Sequence, residues 1–156
     1  RLDVLTNVLI GRLARGVTLA TLLRQFSVED RARAILVLER LGLADYALQR
    51  ADRLSGGQQQ RVAIARAMVQ EPAILLADEP IASLDVNTSK TVMEDIKRIH
   101  EGGVTVLCSL HDLDTAREYC DRLIGLAAGE VVFDGPPAAL NTAAVRAIYG
   151  EEGGKS

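Results

Sequence analysis

Asp78-Glu79-Pro80 closes an unbroken apolar run, Ala73-Ile74-Leu75-Leu76-Ala77, and that position decides how its two carboxylates are read. Neighbouring acids in a loop are ordinarily just solvated. A run of this kind, however, predicts a strand buried on both faces. Such a strand delivers its last side chains to the carboxyl edge of an α/β sheet, where ligands gather. An acidic pair at that edge therefore lies where chemistry is expected. His111 stands in a comparable place, three residues beyond a second apolar run, Val104-Thr105-Val106-Leu107-Cys108. If the two strands share a sheet, both loops emerge on one edge. An imidazole there can donate to an anionic oxygen while its other nitrogen is held by a neighbour. A lone histidine is more often structural, and Cys108 with His111 lacks the further ligands of a metal site. His100 ends a helical pattern and does no more than favour the helix dipole.

A third group is Leu54-Ser55-Gly56-Gly57-Gln58-Gln59-Gln60-Arg61, directly before a helical pattern with Val62, Ile64, Ala65, Met68 and Val69 on its apolar face. Ser55 followed three residues on by Gln58 is a capping box. That leaves Gly56 and Gly57 unexplained, since each glycine in a first turn costs about 1 kcal/mol relative to alanine. Without Cβ atoms, the orphan N–H groups and positive dipole end of the helix can approach a phosphate. The pattern therefore predicts an anion-binding helix N-terminus. Gln59 and Gln60 read equally well as a polar helix face.

The elements that must position these groups fall into two halves. Leu2, Leu5, Val8, Leu9 and Leu13 recur at helical spacing, Thr18 can cap a short helix through Phe26, and Ser27 can cap a third with Ala34, Ile35, Leu38 and Leu41 on one face, stopped by Gly42. Glu29, Asp30, Arg31, Arg33, Glu39 and Arg40 read as its solvated face. From Ala73 onward, short apolar runs alternate with helices, which predicts βαβ units and a mostly parallel sheet. A helix from Asn87 to His100 has Val92, Ile96 and Ile99 inward and stops at Gly102-Gly103. A helix over Leu113 to Tyr119 leads to a hairpin, Arg122–Leu126 and Val131–Phe133 about the turn Ala128-Gly129-Glu130. Pro136-Pro137 breaks the chain, a short helical segment follows, and residues 151–156 form a polar tail expected to be disordered.

The 156 residues suffice for one domain, 48% hydrophobic but only 3% aromatic, so the core must be aliphatic. A net charge of −3 without a basic patch argues against general nucleic-acid binding. Cys108 and Cys120 suit a reducing compartment as small buried hydrophobes rather than a disulfide framework. No apolar run approaches the roughly 20 residues that span a bilayer. The first residue is Arg1, inside a helical pattern, and the expectation is a fragment.

The octapeptide resembles the signature motif of ATP-binding cassette (ABC) ATPases, and the downstream motifs follow in that family's order. The similarity is greatest to the ATPase subunits of bacterial phosphonate importers and extends from Leu2 to Gly150. It implies an α/β P-loop NTPase (RecA-like) core lacking its N-terminal part, divided as a partial helical subdomain over 1–53, the C-terminal part of the ATPase core over 54–150 and the tail over 151–156. Asp78-Glu79 resembles a Walker B pair, in which Asp78 holds Mg²⁺ through water and Glu79 acts on the attacking water. Ala82-Ser83-Leu84-Asp85 resembles the D-loop that lines the dimer contact, although Ser and Asp before a helix are also ordinary caps. His111 resembles the switch histidine on the γ-phosphate. Ser55, Gly56, Gly57, Gln58 and Asp85 would then address ATP. The implied function is ATP hydrolysis coupled to uptake of phosphonate or a related oxyanion. The implied partners are permease subunits, a second ATPase protomer arranged head to tail and, indirectly, an extracytoplasmic solute-binding protein, with the chain peripheral at the cytoplasmic face of the cell membrane.

An ATPase of this kind also needs a phosphate loop, G-x-x-x-x-G-K-S/T, between a strand and a helix. Gly154-Lys155-Ser156 imitates its end, but Tyr149 stands where the first glycine belongs and no helix follows. The resemblance puts the loop upstream of Arg1, so this chain by itself is expected to bind ATP poorly and to be inactive. Two other readings remain open: an ABC-type ATPase acting on DNA or ribosomes, which would usually carry heptad arms or basic linkers, and a non-catalytic module that kept the fold.

Overall fold

The computed structural model describes residues 2–15 and 26–150, and the chain divides after Ser109 into two compact units. Apart from Phe26, the helix expected from Thr18 lies outside the described residues, as does the tail 151–156.

The first unit contains α1 (Val4–Leu9), which runs into a 3-10 turn (Ile10–Arg15), then α2 (Val28–Arg40), α3 (Gly56–Met68), β1 (Ile74–Asp78), α4 (Val86–Glu101) and β2 (Thr105–Ser109). Local chemistry sets the helix ends. Asp3 accepts the Thr6 N–H at 2.7 Å to cap α1, Ser27 accepts the Asp30 N–H at 3.0 Å to cap α2, and Gly42 turns the chain out of α2 at φ 63°. Val4, Val8 and Leu9 of α1, Ala34 and Leu38 of α2, Val62, Ile64 and Ala65 of α3, and Val92, Met93 and Ile96 of α4 are buried. Each large aliphatic removed from water contributes about 1.5–3 kcal/mol, so this interlocking of helices carries the unit. Ile35, expected on the buried face of α2, is 40% exposed because the inward stripe runs through Ala34, Leu38 and Leu41 and leaves it to one side. Asp30, expected to be solvated, instead accepts from Arg12 Nε at 2.7 Å, while Arg12 Nη1 donates to the Val69 carbonyl at 3.1 Å.

β1 and β2 pair in parallel from Ile74↔Thr105 to Asp78↔Ser109, with α4 as the crossover, which is the expected βαβ unit. The expectation of two buried faces holds for only one. Leu75 is buried, whereas Ile74, Leu76 and Leu107 are 59%, 72% and 59% exposed. Alternation along the strands puts these three residues on a single face.

Asp95 of α4 is 3% exposed; its Oδ1 meets Arg98 Nη2 at 3.0 Å, and among the described residues its Oδ2 has no hydrogen-bond partner. Burial pushes its carboxyl above the usual carboxylate range, against the pull of the Arg98 and Arg61 guanidiniums. The folded chain thus holds this proton more tightly than the unfolded chain, and stability declines as pH rises from the ordinary carboxylate value through the raised one. Asp95→Asn is expected to flatten that decline and to stabilise the neutral-pH protein by about 1 kcal/mol. Thermal unfolding followed by circular dichroism between about pH 4 and 8 checks this, and an unchanged pH slope would refute it.

The second unit holds α5 (Leu113–Tyr119), β3 (Leu123–Ala127), β4 (Glu130–Gly135), a 3-10 turn (Pro137–Ala139) and α6 (Thr142–Tyr149). The strands form the expected antiparallel hairpin, turning at Ala128 and Gly129 with φ 51° and 83° and braced by Arg122, which donates to both Asp134 oxygens at 2.7 Å. A Cβ at Gly125 would lie 2.4 Å from Ile148 Cδ1, so α6 rests directly on the hairpin there. Cys108 and Cys120 are half-buried rather than enclosed.

Candidate functional site

The register Asp78↔Ser109 sets two strand ends side by side, and the chemistry-bearing acids are organised around that pair. Ser109 Oγ donates to Asp78 Oδ1 at 2.6 Å and accepts the backbone N–H of Glu79 at 2.9 Å. Glu79 has φ 46° and Ser83 φ 63°, left-handed conformations that cost of order 1–3 kcal/mol in a non-glycine residue and persist only where surroundings enforce them. The strained turn, with Ala82 N–H on the Glu79 carbonyl at 3.1 Å, reverses the chain immediately after β1 and leaves both acids exposed. Ser109 was not among the residues expected to act. Its only sequence signal is its place as the last residue of the strand that pairs with the acids. Among the described residues, no cluster of three or more metal-ligating side chains exists.

At α3 the capping box is formed as read. Ser55 Oγ accepts the Gln58 N–H at 3.3 Å, and Gln58 Oε1 accepts the Ser55 N–H at 2.9 Å. Gln59 Nε2 donates to the Leu54 carbonyl at 2.9 Å and Arg61 Nη1 to the Leu41 carbonyl at 3.0 Å, so both brace the helix entrance. The two glycines separate. Gly57 is buried, and a Cβ there would lie 2.0 Å from Thr88 Cγ2, so its immediate cause is the close approach of α3 to α4. Gly56 is exposed, and a Cβ there would lie 3.3 Å from Leu84 Cδ2. Helix geometry leaves the Gly56 and Gly57 N–H groups without intrahelical acceptors. An exposed, Cβ-free helix start of this kind fits a phosphate oxygen.

Asp85 caps α4, accepting the N–H groups of Asn87 at 3.1 Å and Thr88 at 3.0 Å as well as the Thr88 hydroxyl. The Thr88 hydroxyl, then its N–H, hold the Asp85 carboxyl below the usual range. Thr88 therefore serves both the cap and the Gly57 contact, which brings the Ser55–Gln58 stretch against the Leu84–Thr88 stretch. His111 belongs to the second unit and is exposed, and its carbonyl accepts the Tyr149 hydroxyl at 3.1 Å.

The family profile described as ABC transporter matches residues 2–82. The phosphonates import ATP-binding protein PhnC 1 of Rhodopseudomonas palustris is 60% identical over 150 residues, covering 96% of this chain and 56% of that protein. An inward-facing ABC transporter of metal-chelate type superposes with a TM-score of 0.85 at 26% identity, over 95% of this chain and 58% of that one. A dimeric ATP-binding cassette in a post-hydrolysis state, bound to ADP and Pi, superposes with a TM-score of 0.69 at 37% identity, over 87% and 57%. The chain spans about half the length of the curated relatives it matches.

Proposed function

The chain belongs to the ABC transporter family, and from that premise we propose that it is the signature-bearing half of an ATP-hydrolysing subunit that drives import of phosphonate or a related oxyanion. The observation that carries the reading is the Asp78–Ser109–Glu79 arrangement at one sheet edge, in a chain with 60% identity to a phosphonate import ATP-binding protein. Mg²⁺-ATP, when bound, supplies the phosphoanhydride bond that water cleaves. Asp78, held at one oxygen by Ser109, would hold the cation through its hydration shell. Glu79, turned away from the strand by its left-handed backbone, orients the attacking water and accepts its proton. His111 donates to a terminal phosphate oxygen. Ser55 and the N–H groups of Gly56 and Gly57 face the phosphates of a nucleotide cradled by a second copy of the subunit. Gln58 and Asp85 hold the two helix starts that frame this surface.

The subunit works with permease partners and, through them, with an extracytoplasmic solute-binding protein. It takes a peripheral position on the permease at the cytoplasmic face; among the described residues no helix is long and apolar enough to cross a membrane. The test is genetic. The complete gene carrying this segment is placed in a strain lacking its own phosphonate-import ATPase, with methylphosphonate as sole phosphorus source. Growth is expected; failure to grow alongside restored growth on another oxyanion would overturn the substrate assignment.

A further inference from the structure

Ile148 seated over Gly125 fixes the end of α6 on the hairpin and thereby places the next residue, Tyr149. The Tyr149 hydroxyl donates at 3.1 Å to the backbone carbonyl of His111, a residue 38 positions earlier. The same loop is anchored on its other side. Asp112 accepts the Thr115 N–H at 2.7 Å as the cap of α5, and Arg117 of that helix donates to the Leu140 carbonyl at 3.2 Å, close to the start of α6. The His111 backbone is therefore held between a helix cap and a phenol presented by a separate helix. Fixing a peptide carbonyl limits rotation of the backbone about the Cα–C bond, which sets the direction of the Cα–Cβ bond and the rotamers open to the side chain.

We propose that Tyr149 is a positioning residue for ATP hydrolysis, acting through the backbone of His111 to hold the imidazole on its heading. The inference rests on the reading that His111 addresses the terminal phosphate. Positioning predicts a loss confined to turnover. In the complete, assembled ATPase, Tyr149→Phe, which deletes only the hydroxyl, is expected to lower kcat about threefold to tenfold, with KM for ATP and the melting temperature essentially unchanged. In a His111→Ala background, where residual hydrolysis is read by single turnover with radiolabelled ATP, the same substitution is expected to cost nothing further. An unchanged kcat, an equal loss in the His111→Ala background, or a fall in melting temperature that accounts for the loss would each overturn the inference. The two failures are separable. His111→Ala at parental rate removes the reading beneath and this inference with it, whereas an impaired His111→Ala beside a fully active Tyr149→Phe overturns only the role of Tyr149.

Discussion

Glu79→Gln in the complete ATPase is expected to lower ATP turnover by about 10²- to 10⁴-fold while leaving ATP affinity within a few-fold, measured by steady-state hydrolysis and by equilibrium binding of a fluorescent nucleotide. The substitution is nearly isosteric. The backbone N–H that Ser109 Oγ accepts belongs to the main chain and survives it, so the turn at φ 46° and the Ser109–Asp78 hydrogen bond should persist. What disappears is the carboxylate as a proton acceptor, and an amide cannot replace it. Asp78→Asn supplies the contrast, because it weakens the hold on the cation's hydration shell and should lower apparent affinity for Mg²⁺-ATP as well as turnover. Turnover by Glu79→Gln within about threefold of the parent would remove Glu79 from the proposed chemistry, since general-base contributions of that kind are far larger.

The parts legible in the sequence are those determined locally. Ser55 with Gln58 and Ser27 at the start of α2 are caps formed between residues a turn apart, and each forms as its spacing implied. The βαβ unit and the hairpin follow from runs and turns a few residues long. What was hidden depends on pairing between distant positions. Ser109 matters because parallel register sets it opposite Asp78, and a one-residue slip would have pointed it to the other face. Asp30 is drawn out of solvent by Arg12, a residue 18 positions earlier in the chain. An apolar strand also announces that something should cover it without saying what is present to do so. Ile74 and Leu76 satisfy the pattern of a doubly buried strand and still present one open face. The tandem glycines show the same limit, since a glycine admits close approach and the identity of the approaching group is not local information.

That ambiguity can be tested at Gly57, where Gly57→Ala is expected to destabilise the protein by about 1–3 kcal/mol. Alanine is the better helix former by about 1 kcal/mol, so an ordinary Gly→Ala change in a helix would stabilise it. Here the new Cβ would lie 2.0 Å from Thr88 Cγ2, and α3 and α4 would have to part. Thr88→Ser removes that methyl. The next atoms, Thr88 Cβ at 3.5 Å and Oγ1 at 3.9 Å, stand at ordinary contact distance, and serine keeps the hydroxyl that Asp85 accepts. Gly57→Ala with Thr88→Ser should therefore recover parental stability in urea unfolding, leaving a coupling of about 1–3 kcal/mol in the double-mutant cycle. Gly11→Ala is the control that no trimming relieves, because its Cβ would lie 2.1 Å from the backbone carbonyl oxygen of Arg66. A double variant no more stable than Gly57→Ala would refute the packing account. If stability returns and turnover does not, Gly57 serves the phosphate as well as Thr88. If both return together, the close approach at Gly57 belongs to α4, and the opening toward a nucleotide is left to Gly56.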